Sequence, residues 1–192
     1  MILSPKGWVK VGLQALRTWR LRLLGAQVGQ GTRVEGGVVV RRGWSSSGAG
    51  RIAIGPECQL ETGVVLAAFG GEVSLGRNVF LGPYVVIYGH GGVVVGDSCL
   101  IAMHCRILSS NHTVPEMGTD IRSQPDKLLP TRIGRDVWLG AAVTVLGGVD
   151  VGDGCVIGAG SIVTKSMPSG AIAFGAPAEI KGYRDPHPEP AS

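Results

Sequence analysis

The sequence predicts an all-β solenoid of about six triangular coils, and three regularities predict it. From Ile133 an aliphatic residue recurs every six positions, through Leu139, Val145, Val151, Ile157 and Val163, with no gap adjusted. Allowing insertions between triplets, the series runs back through Val95, Ile101 and Ile107, then Leu75, Leu81 and Ile87. It continues through Ile54, Leu60 and Leu66 to Val28, Val34 and Val40. The first aliphatic of every triplet is followed by glycine: Gly29, Gly55, Gly76, Gly96, Gly134 and Gly152. Cys58, Cys99, Cys105 and Cys155 each stand four residues after a repeat aliphatic, where Thr32, Val64, Val79, Val85, Val137, Val143 and Ser161 stand elsewhere. Each hexad then forms a short strand and a corner with its aliphatic inward, and the glycine is expected to let the backbone turn tightly beside it. Three hexads complete a coil, and coils stack at about 4.8 Å.

The elements follow in order. Residues 1–26 form an N-terminal segment in which Pro5 to Leu24 reads as a helix ended by Gly25. Trp8, Leu13, Leu16, Trp19 and Leu23 recur at helical spacing, and Lys6, Lys10, Arg17, Arg20 and Arg22 fill other positions with no acid among residues 1–25. Two roles are open to this helix. It can cap the solenoid's open end and cover unpaired strand edges, or its residues 5–24 can lie peripherally on an anionic membrane face. Residues 27–167 form the solenoid, and residues 168–192 a C-terminal cap and tail. Four insertions interrupt the repeat: eight residues before Ile54 that include Trp44, three before Leu75, two before Val95, and twenty from Thr113 to Arg132. The last, an ejected loop over 113–132, holds Pro115, Gly118, Pro125 and Pro130, so neither helix nor continuing strand is expected there. A loop of that length in a compact domain is usually functional.

Composition excludes several classes. The 192 residues include 32 glycines, 44% hydrophobic residues and 17% charged ones, with a mean hydropathy of +0.26, which excludes intrinsic disorder. The glycines keep no three-residue period, so collagen is excluded. No apolar run approaches the roughly 18 residues of a membrane span. The net charge of +4 resides in residues 1–25, which carry +5, so the remaining chain nets −1 and offers no basic face for nucleic acid. With no secretory leader pattern, a cytoplasmic chain is expected. The thiols lack paired metal-ligand spacing and read as core, so no metal is expected.

The segment VWLGAAVTVLGGVDVGDGCVIGAGSIVTKSMPSGAIAFGAPA at residues 137–178 resembles the hexapeptide-repeat acyltransferases. With SSNH at Ser109–His112 and RSQP inside the ejected loop, it is most similar to the branch of maltose, galactoside and polysaccharide O-acetyltransferases. The resemblance implies a left-handed β-helix, a homotrimer with active sites between neighbouring subunits, and acetyl-CoA as co-substrate. It implies His112 as the general base. A hydroxyl attacking a thioester must lose its proton as the bond forms, and imidazole, titrating near 6.5 as a free group, suits that task.

The same resemblance implies Trp138 beside the CoA arm and the Ala141 amide on the thioester oxygen. It places Ala159, Thr164 and Lys165 along the strip that holds pantetheine and nucleotide, with Gly158 and Gly160 allowing close approach. His90 and Asn111 are expected to line the acceptor pocket, whereas His104 reads as an outward corner residue and His187, in the tail, carries no assignment. The sequence departs from the family pattern at Glu179 and Gly182, where bases are common, leaving Lys181 and Arg184 nearby. Gly82 replaces an acceptor-binding asparagine, which argues against a galactoside or maltose acceptor. The expected function is acetyl-CoA-dependent O-acetylation of a sugar hydroxyl on a surface polysaccharide or glycolipid precursor. The alternatives are N-acetylation of an amino sugar or antibiotic, and a non-catalytic trimeric scaffold. A hexapeptide carbonic anhydrase is disfavoured because no His-x₄-His pair occurs.

Overall fold

The computed structural model describes residues 5–46 and 48–184, with side chains from Gly12 onward; Lys6, Trp8, Lys10 and His187 therefore fall outside the described side chains. Short strands stack into three parallel sheets, and each sheet takes one strand per coil. The first face runs through Gln27–Val28, Arg51–Ile54, Glu72–Leu75, Val93–Val95, Thr131–Ile133 and Asp150–Val151. The second begins at Arg33–Val34 and includes Trp138–Leu139 and Val156–Ile157, while the third runs from Val39–Arg41 to Ile162–Val163. Pairing register matches the sequence repeat: Leu81 pairs with Ile101 and Leu60, and Ile107 with Val145 and Ile87. The fold is the left-handed parallel β-helix of the acyltransferase type. Strand Ala171–Gly175 extends the second face by pairing parallel to Val156–Ile157. Strand Ala178–Tyr183 then folds back antiparallel and closes that end.

The core is the axis of the prism. Repeat aliphatics from Val34 to Val163 are buried, and Val28, at the rim, is partly so. All four cysteines are free and buried, and each thiol donates to a carbonyl of the next coil: Cys58 to Gly76 (3.1 Å), Cys99 to Gly134 (3.0 Å), Cys105 to Gly140 (3.0 Å) and Cys155 to Pro168 (3.0 Å). Burial pushes the Cys99 and Cys105 thiols up to about 11, against a partial lowering by backbone N–H groups.

The glycines after each first aliphatic have a different cause from the one expected. None of the six has positive φ; the left-handed residue comes two positions later, and at Glu57, Asn78, Ser98 and Asp136 it is not glycine. What requires glycine is the neighbouring coil. A Cβ on Gly55 would overlap the Gly76 carbonyl, and one on Gly96 would come within 2.7 Å of Arg135 N. These glycines set coil-to-coil approach.

The helix Pro5–Leu23 ends in a Schellman arrangement, with Gly25 at φ 84° and Ala26 N–H bonded to Leu21 O. It docks on the first coil, as a cap would, but not through its apolar stripe. Leu21 is buried, whereas Leu13, Leu16, Trp19 and Leu23 are exposed. The docked face is polar because an open solenoid end presents unpaired backbone groups. Gln14 Oε1 accepts from Val34 N, while Arg17 donates to Val34 O and pairs with Glu35 at 2.8 Å. Among the described residues no helix is long and apolar enough to cross a membrane.

Candidate active site

The ejected loop leaves the corner between the third and first faces and is more regular than its prolines imply. Ser110–His112 and Asp126–Leu128 pair as an antiparallel hairpin, and a 3₁₀ turn at Ile121–Ser123 lies between them. The prolines fall outside both strands, so each strand keeps its donors. Buried hydroxyls fix the roots. Ser109 Oγ donates to Tyr88 O (2.7 Å) and accepts from Gly91 N, and Thr131 Oγ1 donates to Leu108 O (2.7 Å).

The hairpin register sets His112 opposite Asp126. His112 Nδ1 donates to Asp126 Oδ1 at 2.7 Å, which fixes the tautomer and leaves Nε2 as an acceptor. The His112 side chain is 71% exposed, so Nε2 is open to a reactant. His90 Nε2 lies 3.9 Å from the other Asp126 oxygen, and the His90 ring stacks on Phe69 at 4.3 Å. Burial lowers the His90 pKa below its ordinary value, with Asp126 acting in the opposite direction and His112 in the same one. Among the described residues the buried His90 Nδ1 has no hydrogen-bond partner. Asp126 is a site residue that the sequence alone does not single out. The signal available was an acid directly after RSQP, but only the hairpin register assigns it to His112.

Asn111 is exposed on the same strand, where alternation puts it on the opposite ribbon face from His112, and its Oδ1 accepts from His112 N. His104 is exposed at a corner, with its ring stacked on Tyr84 at 5.4 Å. Among the described residues no group of three His, Cys, Asp or Glu side chains is placed to hold a metal ion.

The remaining predicted residues occupy other parts of the prism. Trp138 projects, exposed, from the second face between Leu100 and Val156. Ala141 and Ala159 stack at the corner between the second and third faces, linked by Gly160 N–H to Ala141 O at 2.8 Å. Among the described residues the Ala141 N–H has no backbone acceptor, and the stacked position two coils earlier is Pro83, which has no N–H. A Cβ on Gly140 would come within 2.6 Å of Ala159 N, so the strip is smooth for a reason of packing. Thr164 and Lys165 stand exposed at the corner that carries His112, two coils further on. Within one chain, therefore, His112 and the Ala141–Ala159 strip sit on two different corners with the third face between them.

Comparison with known proteins agrees with this architecture. Residues 130–165 match the bacterial transferase hexapeptide (six repeats) model, and residues 72–105 match the hexapeptide repeat of succinyl-transferase. WbbJ of Escherichia coli K12, named for O-acetyl transfer in lipopolysaccharide biosynthesis, is 35% identical over 141 residues, covering 68% of this chain and 71% of WbbJ. The chain belongs to the hexapeptide-repeat acyltransferase family. Galactoside O-acetyltransferase of the same organism is 34% identical over 117 residues, 60% of this chain and 56% of that protein. A protein of Mycobacterium tuberculosis H37Rv named as an acetyltransferase, Rv3034c, matches at 37% over 112 residues. The chain spans about half of the former relative and a third of the latter (56% and 35%). A galactoside acetyltransferase solved with coenzyme A superposes with a TM-score of 0.59 at 26% identity, covering 81% of this chain and 66% of that one. AntD, an N-acyltransferase of Bacillus cereus solved with dTDP and 3-hydroxybutyryl-CoA, reaches 0.73 at 19% identity over 88% of each chain, a likeness of fold.

Proposed function

We propose that the protein is an acetyl-CoA-dependent O-acetyltransferase acting on a sugar hydroxyl, in the assembly of a surface polysaccharide or glycolipid. The observation that carries this reading is the His112–Asp126 pair, with an exposed Nε2 aimed away from the carboxylate that holds Nδ1. An acceptor hydroxyl bound at Nε2 gives up its proton to His112 as its oxygen attacks the thioester carbonyl. Asp126 holds the imidazolium that results, as a carboxylate does in other histidine-based sites. Collapse of the tetrahedral adduct breaks the C–S bond, and the proton passes from His112 to the departing thiolate. The Ala141 N–H, without a backbone acceptor among the described residues, suits the developing oxyanion, and Trp138 with Ala159 on one corner, and Thr164 with Lys165 on the His112 corner of a neighbouring copy, suit the coenzyme arm.

The separation of His112 from Ala141 within one chain supports a site completed between subunits of a homotrimer, with the strip of one copy facing the hairpin of the next. Light scattering at three times the chain mass is the expected result; a monomer that retains full transfer activity contradicts the shared site. The reaction itself is tested by acceptor-dependent release of CoA thiol, with a product that mild base cleaves. A base-stable product would indicate transfer to an amine. No release and no binding of acetyl-CoA would favour a scaffold.

A further inference from the structure

The N-terminal helix turns two sides to different surroundings, and the fold uses only one of them. Along a solenoid strand, alternate backbone groups point up and down the axis of the prism. Arg33 N and Glu35 N donate to Cys58 O and Leu60 O of the second coil, whereas Val34 N and Val34 O point the other way, toward the open end. Gln14 and Arg17 meet those two groups where a preceding coil would otherwise stand. The helix therefore lies across the end of the prism. Its side opposite Gln14, Arg17 and Leu21 faces outward along the axis.

That outward side is apolar. Leu16, Trp19 and Leu23, spaced i, i+3 and i+7, form a ridge and are 57%, 56% and 64% exposed. At about 100° per residue, Arg20 and Arg22 fall on the two flanks of the ridge. Packing within the chain does not account for three large apolar side chains in one exposed row. The charge around them is one-sided as well. Residues 1–50, which include the helix and the first coil, hold eight bases and one acid, a net +7, whereas residues 51–192 hold ten bases and thirteen acids, a net −3. The one acid, Glu35, is paired with Arg17 at 2.8 Å on the docked side. Arg33 and Arg41 add exposed bases on the first coil.

We propose that this end of the prism is a docking surface for an anionic lipid bilayer, with Leu16, Trp19 and Leu23 entering the headgroup region and Arg20 and Arg22 meeting lipid phosphates. A helix that binds in the plane of a membrane needs an apolar ridge with bases beside it, and this one presents both without crossing the bilayer. An indole suits that boundary because its ring is apolar and its N–H is wet. A second copy docked end to end would set one +7 end against another. The subunit contact proposed above joins corners along the sides of the prism and leaves this end open. Capping and membrane docking coexist because they use opposite sides of the helix. The proposal stands apart from the transferase reading, and its test reads vesicle binding alone.

The test is co-sedimentation of the full chain with vesicles of phosphatidylcholine alone and of phosphatidylcholine with about one third phosphatidylglycerol. Wild type, Trp19→Ser, Trp19→Phe and Arg20→Glu are compared at low and high salt, about 0.05 and 0.5 M. Both positions are exposed, so the variants should keep the wild-type melting temperature. The expected result is binding to the anionic vesicles, little to phosphatidylcholine alone, and a marked fall at high salt. Trp19→Ser should weaken partitioning about tenfold, the scale of one large apolar side chain left in water, and Trp19→Phe should restore most of it. Arg20→Glu should weaken it about tenfold or more, since two units of charge change at the surface. Equal binding to both vesicle types, or none to the anionic ones at low salt, overturns the proposal. Wild-type binding by both Trp19→Ser and Arg20→Glu overturns it as well. A lower oligomeric mass in Trp19→Ser, measured by light scattering, would assign the ridge to a contact between copies and overturn it too.

Discussion

His112→Ala is expected to lower kcat/KM for acetyl transfer about a thousandfold, within the range that a positioned general base contributes. The loss should appear in kcat, because Nε2 acts on the proton that moves during attack. Asp126→Asn is expected to cost about tenfold to a hundredfold, the scale of losing a group that orients a functional imidazole. Its amide can still face Nδ1 but does not stabilise the imidazolium, and an amide presented N–H first would favour the wrong tautomer. Steady-state kinetics of both variants beside wild type check this order. A larger loss at Asp126 than at His112, or wild-type turnover in His112→Ala, would break the assignment of base and orienting acid.

Gly55→Ala is expected to be the most damaging single-methyl change in the solenoid. The added carbon would overlap the Gly76 carbonyl oxygen and lie 3.0 Å from Leu75 O, all backbone of the next coil, so no side-chain rotation relieves it. Relief requires the coils to part, which breaks ladder bonds such as Gly55 N–H to Leu75 O at 2.9 Å. A destabilisation of about 3–5 kcal/mol follows, at the upper end for single substitutions, and a fall in Tm on the order of 10 °C. Gly12→Ala is the contrast. It lies in the helix with nothing within 4 Å of its Cβ, and alanine there should stabilise by roughly 0.5–1 kcal/mol. Thermal melts of the two variants at equal protein concentration distinguish a close-approach role from a general dislike of losing glycine.

The solenoid was legible because each coil imposes the same demand on the chain. An inward aliphatic every sixth residue and a small second inward residue recur from Val28 to Val163, so the period exposes the fold without knowledge of any contact. The reason for the glycines was not legible in the same way. Sequence shows that Gly55 or Gly134 recurs, but only the stacked coils show that the neighbour's backbone excludes a Cβ. The N-terminal helix illustrates a second limit. Leu13, Leu16, Trp19 and Leu23 form the stripe that helical spacing picks out, yet Gln14, Arg17 and Leu21 make the docking face, because the surface they meet presents backbone donors and acceptors. His112 could be found from its SSNH setting at the mouth of an insertion. Asp126 could not, since its partnership depends on a non-local antiparallel register between two strands of three residues each, fourteen positions apart. The stacking of Phe69 on His90 was equally hidden, because the two rings meet only when consecutive coils are stacked.

The most direct test of the account is acetyl transfer itself, followed as CoA thiol release from acetyl-CoA with and without a saccharide acceptor, for wild type and His112→Ala. The predicted result is release that requires the acceptor, yields a sugar ester cleaved by mild base, and is lost in the variant. Acceptor-dependent release that persists in His112→Ala, or a base-stable product, would contradict the account.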